Sequence, residues 1–136
     1  PVNGPALDAR GDMLAAAWFT EGGGGPRVLC AKSSDGGVTW GKPISVSDTD
    51  PIGRCGVVVL KSGAVAVCWL EMAENLAHVR VARISPDGEV APSVTVAKTA
   101  AGRTSGVPEM VASGEDLVVA WRDVSARRVC VARVSW

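Results

Sequence analysis

Arginines and carboxylates at a regular spacing are the residues of this sequence best suited to chemistry. The candidate ligand-binding residues are Arg54 with Glu71, Arg103 with Asp123, and Asn3 with Thr20 in the corresponding first positions. A guanidinium group offers a planar fork of N–H donors that suits a carboxylate or a phosphate. A neighbouring carboxylate can orient that fork or exchange a proton with a bound molecule.

Two interpretations of these pairs are open. In the structural one, Arg54–Glu71 and Arg103–Asp123 are ion pairs that fasten two loops of one repeat. In the functional one, Arg54 and Arg103 bind an anionic group and the acids orient them. The two are compatible, because a paired guanidinium keeps unused donors. Replacing both arginines by alanine distinguishes the two interpretations, since only the functional one predicts lost ligand binding with little loss of folding.

Metal and cofactor chemistry is not predicted. The four cysteines (Cys30, Cys55, Cys68 and Cys130) have no CxxC spacing, and His78 is the one histidine available to complete a metal shell. Cys30, Cys68 and Cys130 lie in apolar runs, which favours buried, unreactive thiols. The glycine run 22–25 lacks the Lys-Ser/Thr of a phosphate-binding loop.

Charge and hydropathy limit the classes of partner. Fourteen Lys and Arg balance fourteen Asp and Glu, so no overall basic field attracts nucleic acid. The longest apolar runs, residues 57–60 and 64–70, are too short to cross a bilayer. We therefore predict neither a nucleic-acid partner nor a membrane span.

The elements that position the candidate residues come from an internal repeat. Trp18, Trp69 and Trp121 each follow a short apolar run and are 51 and 52 residues apart. The turn glycines Gly11, Gly63 and Gly114 keep almost the same step, at 52 and 51 residues. This period predicts three repeats, about 1–50, 51–100 and 101–136, within one domain covering residues 1–136.

Each repeat is predicted to be a meander of β-strands. A first strand ends at the turn glycine, a second at the tryptophan, and a third and fourth follow; the third repeat ends after its third strand. No stretch has a sustained helical period, so the fold class is all-β. Because successive strands alternate in direction, all six candidate residues are expected at the same end of the sheets. The three tryptophans are expected to pack between sheets.

One octapeptide carries a family resemblance. Residues 33–40, SSDGGVTW, match the pattern S-x-D-x-G-x-T-W, and residues 85–90 hold a degraded copy. The first segment resembles the Asp box of sialidases and of related bacterial neuraminidase repeats. Its residues Ser33, Asp35, Gly37, Thr39 and Trp40 are expected to be structural: the carboxylate accepts backbone amides, the glycines allow positive φ, and the tryptophan packs back on the sheet.

The resemblance implies a sialidase-type β-propeller with four-stranded blades, of which this chain holds three, or half of a six-bladed ring. The third blade lacks its outer strand. Open blade faces would need a cover, so a homodimer completing the ring, or missing blades of a longer chain, is expected. The resemblance also favours an extracytoplasmic location, periplasmic or secreted.

The resemblance implies an active site on the face opposite the Asp boxes. Sialidase chemistry uses three arginines, an acid/base aspartate and a tyrosine nucleophile activated by glutamate, and this chain has no tyrosine. Whether the protein is an enzyme therefore stays open. The leading hypothesis is a module that binds a glycan or anionic ligand, or part of a glycoside hydrolase with missing blades. The alternative is a non-catalytic structural or protein-interaction propeller.

Overall fold

The chain forms three antiparallel β-sheets in succession. The computed structural model describes residues 4–47 and 49–136. The first sheet holds β1 (Ala6–Arg10), β2 (Met13–Thr20), β3 (Arg27–Ser33) and β4 (Ile44–Ser45). The second holds β5 (Pro51–Val59), β6 (Val65–Ala73), β7 (Leu76–Ile84) and β8 (Val94–Ala100). The third holds β9 (Glu109–Ser113), β10 (Asp116–Asp123) and β11 (Arg128–Val134).

Tight turns join the first two strands of the outer sheets. Arg10 pairs with Met13 and Ser113 pairs with Asp116, leaving two-residue turns that begin at Gly11 and Gly114. Both glycines have positive φ, 59° and 67°, a conformation that glycine adopts without a steric penalty. The short turns fix the registers of both hairpins.

The second sheet lies between the other two, which explains its continuous apolar strands. In β6 the residues from Val65 to Glu71 are all buried, whereas β2 and β10 alternate more clearly. One face of the second sheet packs on the first sheet through Val65, Val67 and Trp69. The opposite face packs on the third sheet through residues that include Cys68 and Leu70. Strands of a sheet that is buried on both faces carry apolar residues at successive positions, instead of alternating apolar and polar residues.

The innermost strands of the three sheets are held together at β5. Asp8 of β1 accepts a hydrogen bond from the Val59 amide at 2.7 Å, and Arg10 Nε donates to the Val59 carbonyl at 3.1 Å. These side chains satisfy backbone groups on the free edge of β5 and so take the place of a neighbouring strand. Residues 107 and 108, just before β9, line the same groove as residues 55–59 of β5.

The all-β prediction is confirmed, with eleven antiparallel strands and one 3₁₀ turn, Arg103–Ser105, in the described part of the chain. The third sheet has three strands there. The three sheets do not close on themselves, so a ring of blades remains a proposal. Trp69 is fully buried between sheets as predicted. Trp18 is half-buried in the single chain, on a face of the first sheet that no other described sheet covers.

Candidate functional site

A groove runs where the innermost strands of the three sheets converge. It has a volume of about 540 Å³ and is lined by residues 5–10, 55–59 and 107–112, from β1, β5 and the segment leading into β9. This volume is within the range of sites that hold small molecules. Asp8, Arg10 and Glu109 are the charged residues in its lining. Asp8 and Arg10 are held by the Val59 backbone.

Arg54 lies beside the end of this groove that is lined by Cys55 and Val107, which we call the groove mouth. Cys55 lines the groove directly after it, and the Arg54 side chain reaches across to the segment 102–106, which precedes the lining residue Val107. Its Nη1 donates to the carbonyls of Gly102 and Gly106 at 3.1 and 2.6 Å, and to Ser105 Oγ at 2.7 Å. The guanidinium thereby ties the second sheet to the segment that leads into the third.

The backbone at Arg54 is in a sparsely populated conformation. Its φ is 59° and Gly53 before it has φ 90°, at a point where the β5–β6 register shifts by a bulge. A left-handed conformation at a residue with a side chain is unfavourable and persists where the surroundings fix it. Bulges of this kind re-aim side chains at the rims of sheets. Here the bulge points Arg54 away from Glu71 and toward residues 102–106.

The predicted pair Arg54–Glu71 is not formed. Glu71 is 5% exposed and its partner is Arg80, with Nε and Oε2 3.6 Å apart. The reason is the β6–β7 register: Glu71 lies opposite His78, next to the pair Trp69–Arg80 on the same face of the second sheet. Arg80 is held in addition by the hydroxyls of Thr95 and Ser93.

The other candidate residues serve local turns or are exposed. No ion pair joins Arg103 to Asp123 in the described part of the chain: Arg103 is exposed on the 3₁₀ turn, and Asp123 Oδ1 accepts from the Ala126 amide at 3.0 Å. Thr20 Oγ1 accepts from the Gly22 amide at 3.1 Å. Asn3 lies outside the described residues. The structure thus brings Arg54 against the segment that carries Arg103, and leaves Glu71, Asp123 and Thr20 elsewhere.

The turn at residues 33–40, which we call the Asp-box turn after the motif it resembles, is a closed hydrogen-bond network. Asp35 accepts from the Thr39 hydroxyl at 2.6 Å, the Thr39 amide at 2.9 Å and the Ser33 hydroxyl at 2.7 Å. Trp40 Nε1 donates to the Gly37 carbonyl at 3.1 Å, which folds the indole back over the turn. The hydroxyl and then the amide of Thr39 lower the pKa of Asp35 from 3.8 to about 2. These hydrogen bonds fill acceptor positions on both carboxylate oxygens and stabilise the turn.

Four buried polar side-chain atoms of Glu71 and the residues around it have no hydrogen-bond partner among the described residues. They are Trp69 Nε1, Glu71 Oε2, His78 Nε2 and Arg80 Nε. His78 is 7% exposed and lies opposite Glu71 in the β6–β7 pair. Glu74 is its nearest acid, with Oε2 3.9 Å from Nε2.

Sequence reasoning missed Asp8 and Arg10 in the groove, and Arg80 as the partner of Glu71. Asp8 and Arg10 alternate in an otherwise apolar strand, and that spacing was the available signal that both side chains share one face. Arg80 carried no signal of its own, because its pairing with Glu71 depends on the β6–β7 register.

The cysteines are free, and burial raises the pKa of the Cys30 thiol to about 11 and those of Cys55 and Cys68 to about 12. Within residues 4–47 and 49–136, no group of three or more His, Cys, Asp or Glu residues is placed to hold a metal ion. The same residues include no helix long and apolar enough to span a membrane.

Comparisons with known proteins relate the chain to a sialidase by fold. No family model matches the sequence, and no curated protein matches it. Among solved structures, the Hadza microbial sialidase Hz136 is similar with a TM-score of 0.55 at 16% sequence identity. The similarity covers 96% of this chain and 30% of the sialidase, so the chain spans about a third of that protein's length. The fold is therefore sialidase-like.

Proposed function

We propose that this protein is a sialidase-like module that binds an anionic sugar at the mouth of the groove, with Arg54 as the principal ligand-binding residue. The observation that carries the proposal is the conformation of Arg54. A left-handed bulge directs its guanidinium to the mouth, and the segment 102–106 fixes it there through one nitrogen.

The Arg54 guanidinium is oriented but not used up. Its three hydrogen bonds all leave from Nη1, while Nε and Nη2 donate to no other described residue. Two nitrogens on one edge of the fork match the two oxygens of a carboxylate. The exposed Arg103 on the adjoining 3₁₀ turn adds a second positive charge at the same mouth. The arginines of sialidases clamp a sugar carboxylate in this manner, which favours an acidic sugar over other anions.

Binding, and not cleavage by this chain alone, is the activity proposed. The sequence has no tyrosine to serve as the sialidase nucleophile, and the buried Glu71 is committed to Arg80. A role as part of a glycoside hydrolase fits the same groove if further sheets supply the reacting groups.

The first test compares the binding of N-acetylneuraminic acid to the native protein and to Arg54→Gly by titration calorimetry. Glycine accepts the left-handed backbone, so this substitution removes the guanidinium without adding strain. We expect the native dissociation constant to be on the order of 1 mM, and at least roughly tenfold weaker binding for the variant, about 1.4 kcal/mol.

The matched control is Arg127→Gly. Arg127 is also an arginine with positive φ, 51°, but it lies on the β10–β11 turn, where its amide donates to the Val124 carbonyl, away from the segment 102–106 that holds Arg54. It should bind the sugar as the native protein does, and galactose, which has no carboxylate, should bind none of the three proteins measurably. Equal affinity of Arg54→Gly and native protein, or no native binding, would contradict the proposal.

A second candidate function, a non-catalytic interaction module, is favoured by apolar residues at the two ends of the sheet stack. Val129 and Val131 of the third sheet are 73% and 62% exposed. Trp18 of the first sheet lies on the opposite end face. If the protein is an interaction module, substitutions at these end faces should abolish binding of its partner. Arg54→Gly should leave that binding unchanged.

A further inference from the structure

The two end faces of the sheet stack are repeat equivalents of faces that are buried inside it. We call the side that a sheet turns to the next sheet its leading face, and the opposite side its trailing face. On the leading faces, Cys30, Val81 and Val131 hold the same position, opposite the second strand of their sheets. Cys30 and Val81 are 0% exposed, whereas Val131 is 62% exposed. The leading face of the third sheet thus lacks the cover its equivalents have.

The trailing face of the first sheet is open in the same way. Trp69 and Trp121 project from the trailing faces of the second and third sheets into the two cores. Trp18 holds the equivalent position in the first sheet, with Leu14 and Ala16 beside it, and stays half-buried. Inside the stack, a tryptophan of this kind packs on the leading face of the preceding sheet. The exposed leading face of the third sheet offers that surface to Trp18.

The leading face of each sheet also carries a cationic residue at the same repeat position. Lys32, Arg83 and Arg133 lie opposite the second strand at one repeat position. Lys32 Nζ donates to the carbonyls of Ser85 and Pro86, in the turn that follows β7 of the second sheet, at 3.0 and 2.8 Å. Arg83 Nη2 donates to Glu115 of the third sheet at 3.1 Å. In the first two sheets, therefore, this cation reaches into the next sheet.

Arg133 has no next sheet in the described chain, and it turns to its own. Its Nε donates to Asp116 at 2.9 Å and its Nη2 donates to Ser113 Oγ at 3.4 Å. The first sheet carries an acid where Arg83 finds Glu115, because Asp12 follows Gly11 as Glu115 follows Gly114. The Asp12 side chain is exposed and has no hydrogen bond or ion pair with any described residue.

We propose that two copies of this chain associate head to tail, with the third sheet of each packed on the first sheet of the other and Arg133 paired with Asp12 of the second copy. The apolar faces continue the interfaces inside the stack, and the cation and acid are complementary in charge. In such a head-to-tail contact the two copies use different surfaces. Two copies therefore form a closed ring only if the three sheets of one copy together turn through half a circle about the ring axis. The result is a ring of six sheets around the groove.

The direct test is the mass of the 136-residue protein in solution, measured by light scattering over a wide range of concentration. We expect a species near twice 14.0 kDa. A monomer at every concentration, or an indefinite series of larger species, would overturn the closed pair.

Val131→Glu tests the apolar contact. Because Val131 is exposed in the single chain, the charge should leave the monomer folded but shift the mass to 14.0 kDa. Val38→Glu is the matched control, since Val38 is 82% exposed on the Asp-box turn, and it should stay paired. A paired Val131→Glu protein would overturn the assigned interface.

Charge reversal tests the ion pair independently of folding. Arg133→Asp and Asp12→Arg should each pair several-fold more weakly, because each places like charges at both contacts. An equal mixture of the two restores an opposite-charge pair at both contacts and should regain native pairing. Lys98→Asp, which breaks the exposed pair with Glu74 away from the end faces, should have no effect. Failure of the mixture to recover would contradict the Arg133–Asp12 contact.

Discussion

Asp35 and Arg54 are both charged residues, one in the turn after β3 and the other within β5, and their surroundings differ. Both carboxylate oxygens of Asp35 are engaged by Ser33 and Thr39 within one turn. The guanidinium of Arg54 uses one of its three nitrogens, in contacts with residues about fifty positions away. A group satisfied by its own turn stabilises that turn, whereas a group positioned from a distance with donors to spare is suited to binding.

The Asp35 network makes stability depend on pH. The pKa of Asp35 is near 3.8 in the unfolded chain and about 2 in the folded one, so the ionised carboxylate stabilises the fold above pH 3.8, and this contribution is lost as pH falls toward 2. We expect Asp35→Asn to have a lower Tm than the native protein at neutral pH, with the difference shrinking between pH 3.8 and 2.

The control for Asp35→Asn is Asp87→Asn in the degraded copy of the motif. Thr39, the seventh residue of the motif, donates to Asp35. In the second copy the equivalent residue is Ala91, which has no hydroxyl to donate. Asp87→Asn should therefore change the Tm little at any pH. A Tm difference for Asp35→Asn that stays constant down to pH 2 would contradict the linkage.

At the scale of elements, sequence patterns predict strands well and contacts between them poorly. The strands of each hairpin follow from the turn glycines and tryptophans, because both report local conformation and burial. The partner of Glu71 does not follow, because the β6–β7 register and the bulge at Gly53 and Arg54 decide it. Neither a register nor a bulge leaves a periodic signal in the sequence.

Close packing between β5 and β6 gives a sharp test of the second sheet. A Cβ added at Gly56 would lie 2.7 Å from Sγ of Cys68, a side chain that is fully buried. Gly56→Ala should therefore lower the free energy of unfolding by roughly 1–3 kcal/mol, the usual effect of overpacking, in urea denaturation.

Two comparisons check that the clash is the cause. Gly41→Ala places its Cβ at an ordinary 3.5 Å from the Lys32 carbonyl and should be nearly neutral. In a Cys68→Ala background, where the sulfur is gone, Gly56→Ala should cost much less than in the native protein. Equal costs in the two backgrounds would rule out the sulfur contact as the source.

At the scale of the whole molecule, the arrangement of the sheets decides what the candidate residues can do. Strand alternation predicted that Arg54 and Arg103 share one end of the sheets, and the contact of Arg54 with residues 102–106 is consistent with that placement. The groove itself could not be predicted, because it depends on the angle at which β1, β5 and β9 converge. The stack also leaves apolar residues such as Val131 and Trp18 on its two end faces, and the local sequence pattern does not distinguish them from their buried equivalents.

The central claim, that the groove mouth at Arg54 binds an acidic sugar, is tested most directly by mapping the contact on the ¹⁵N-labelled protein. Titration with N-acetylneuraminic acid should shift the amide resonances of Arg54, Ser105 and Gly106 most, and those of the groove strands less. All of these shifts should follow one common saturation curve. Galactose should leave these resonances unchanged. Shifts confined to the Asp-box turn at residues 33–40, or no shifts at all, would contradict the account.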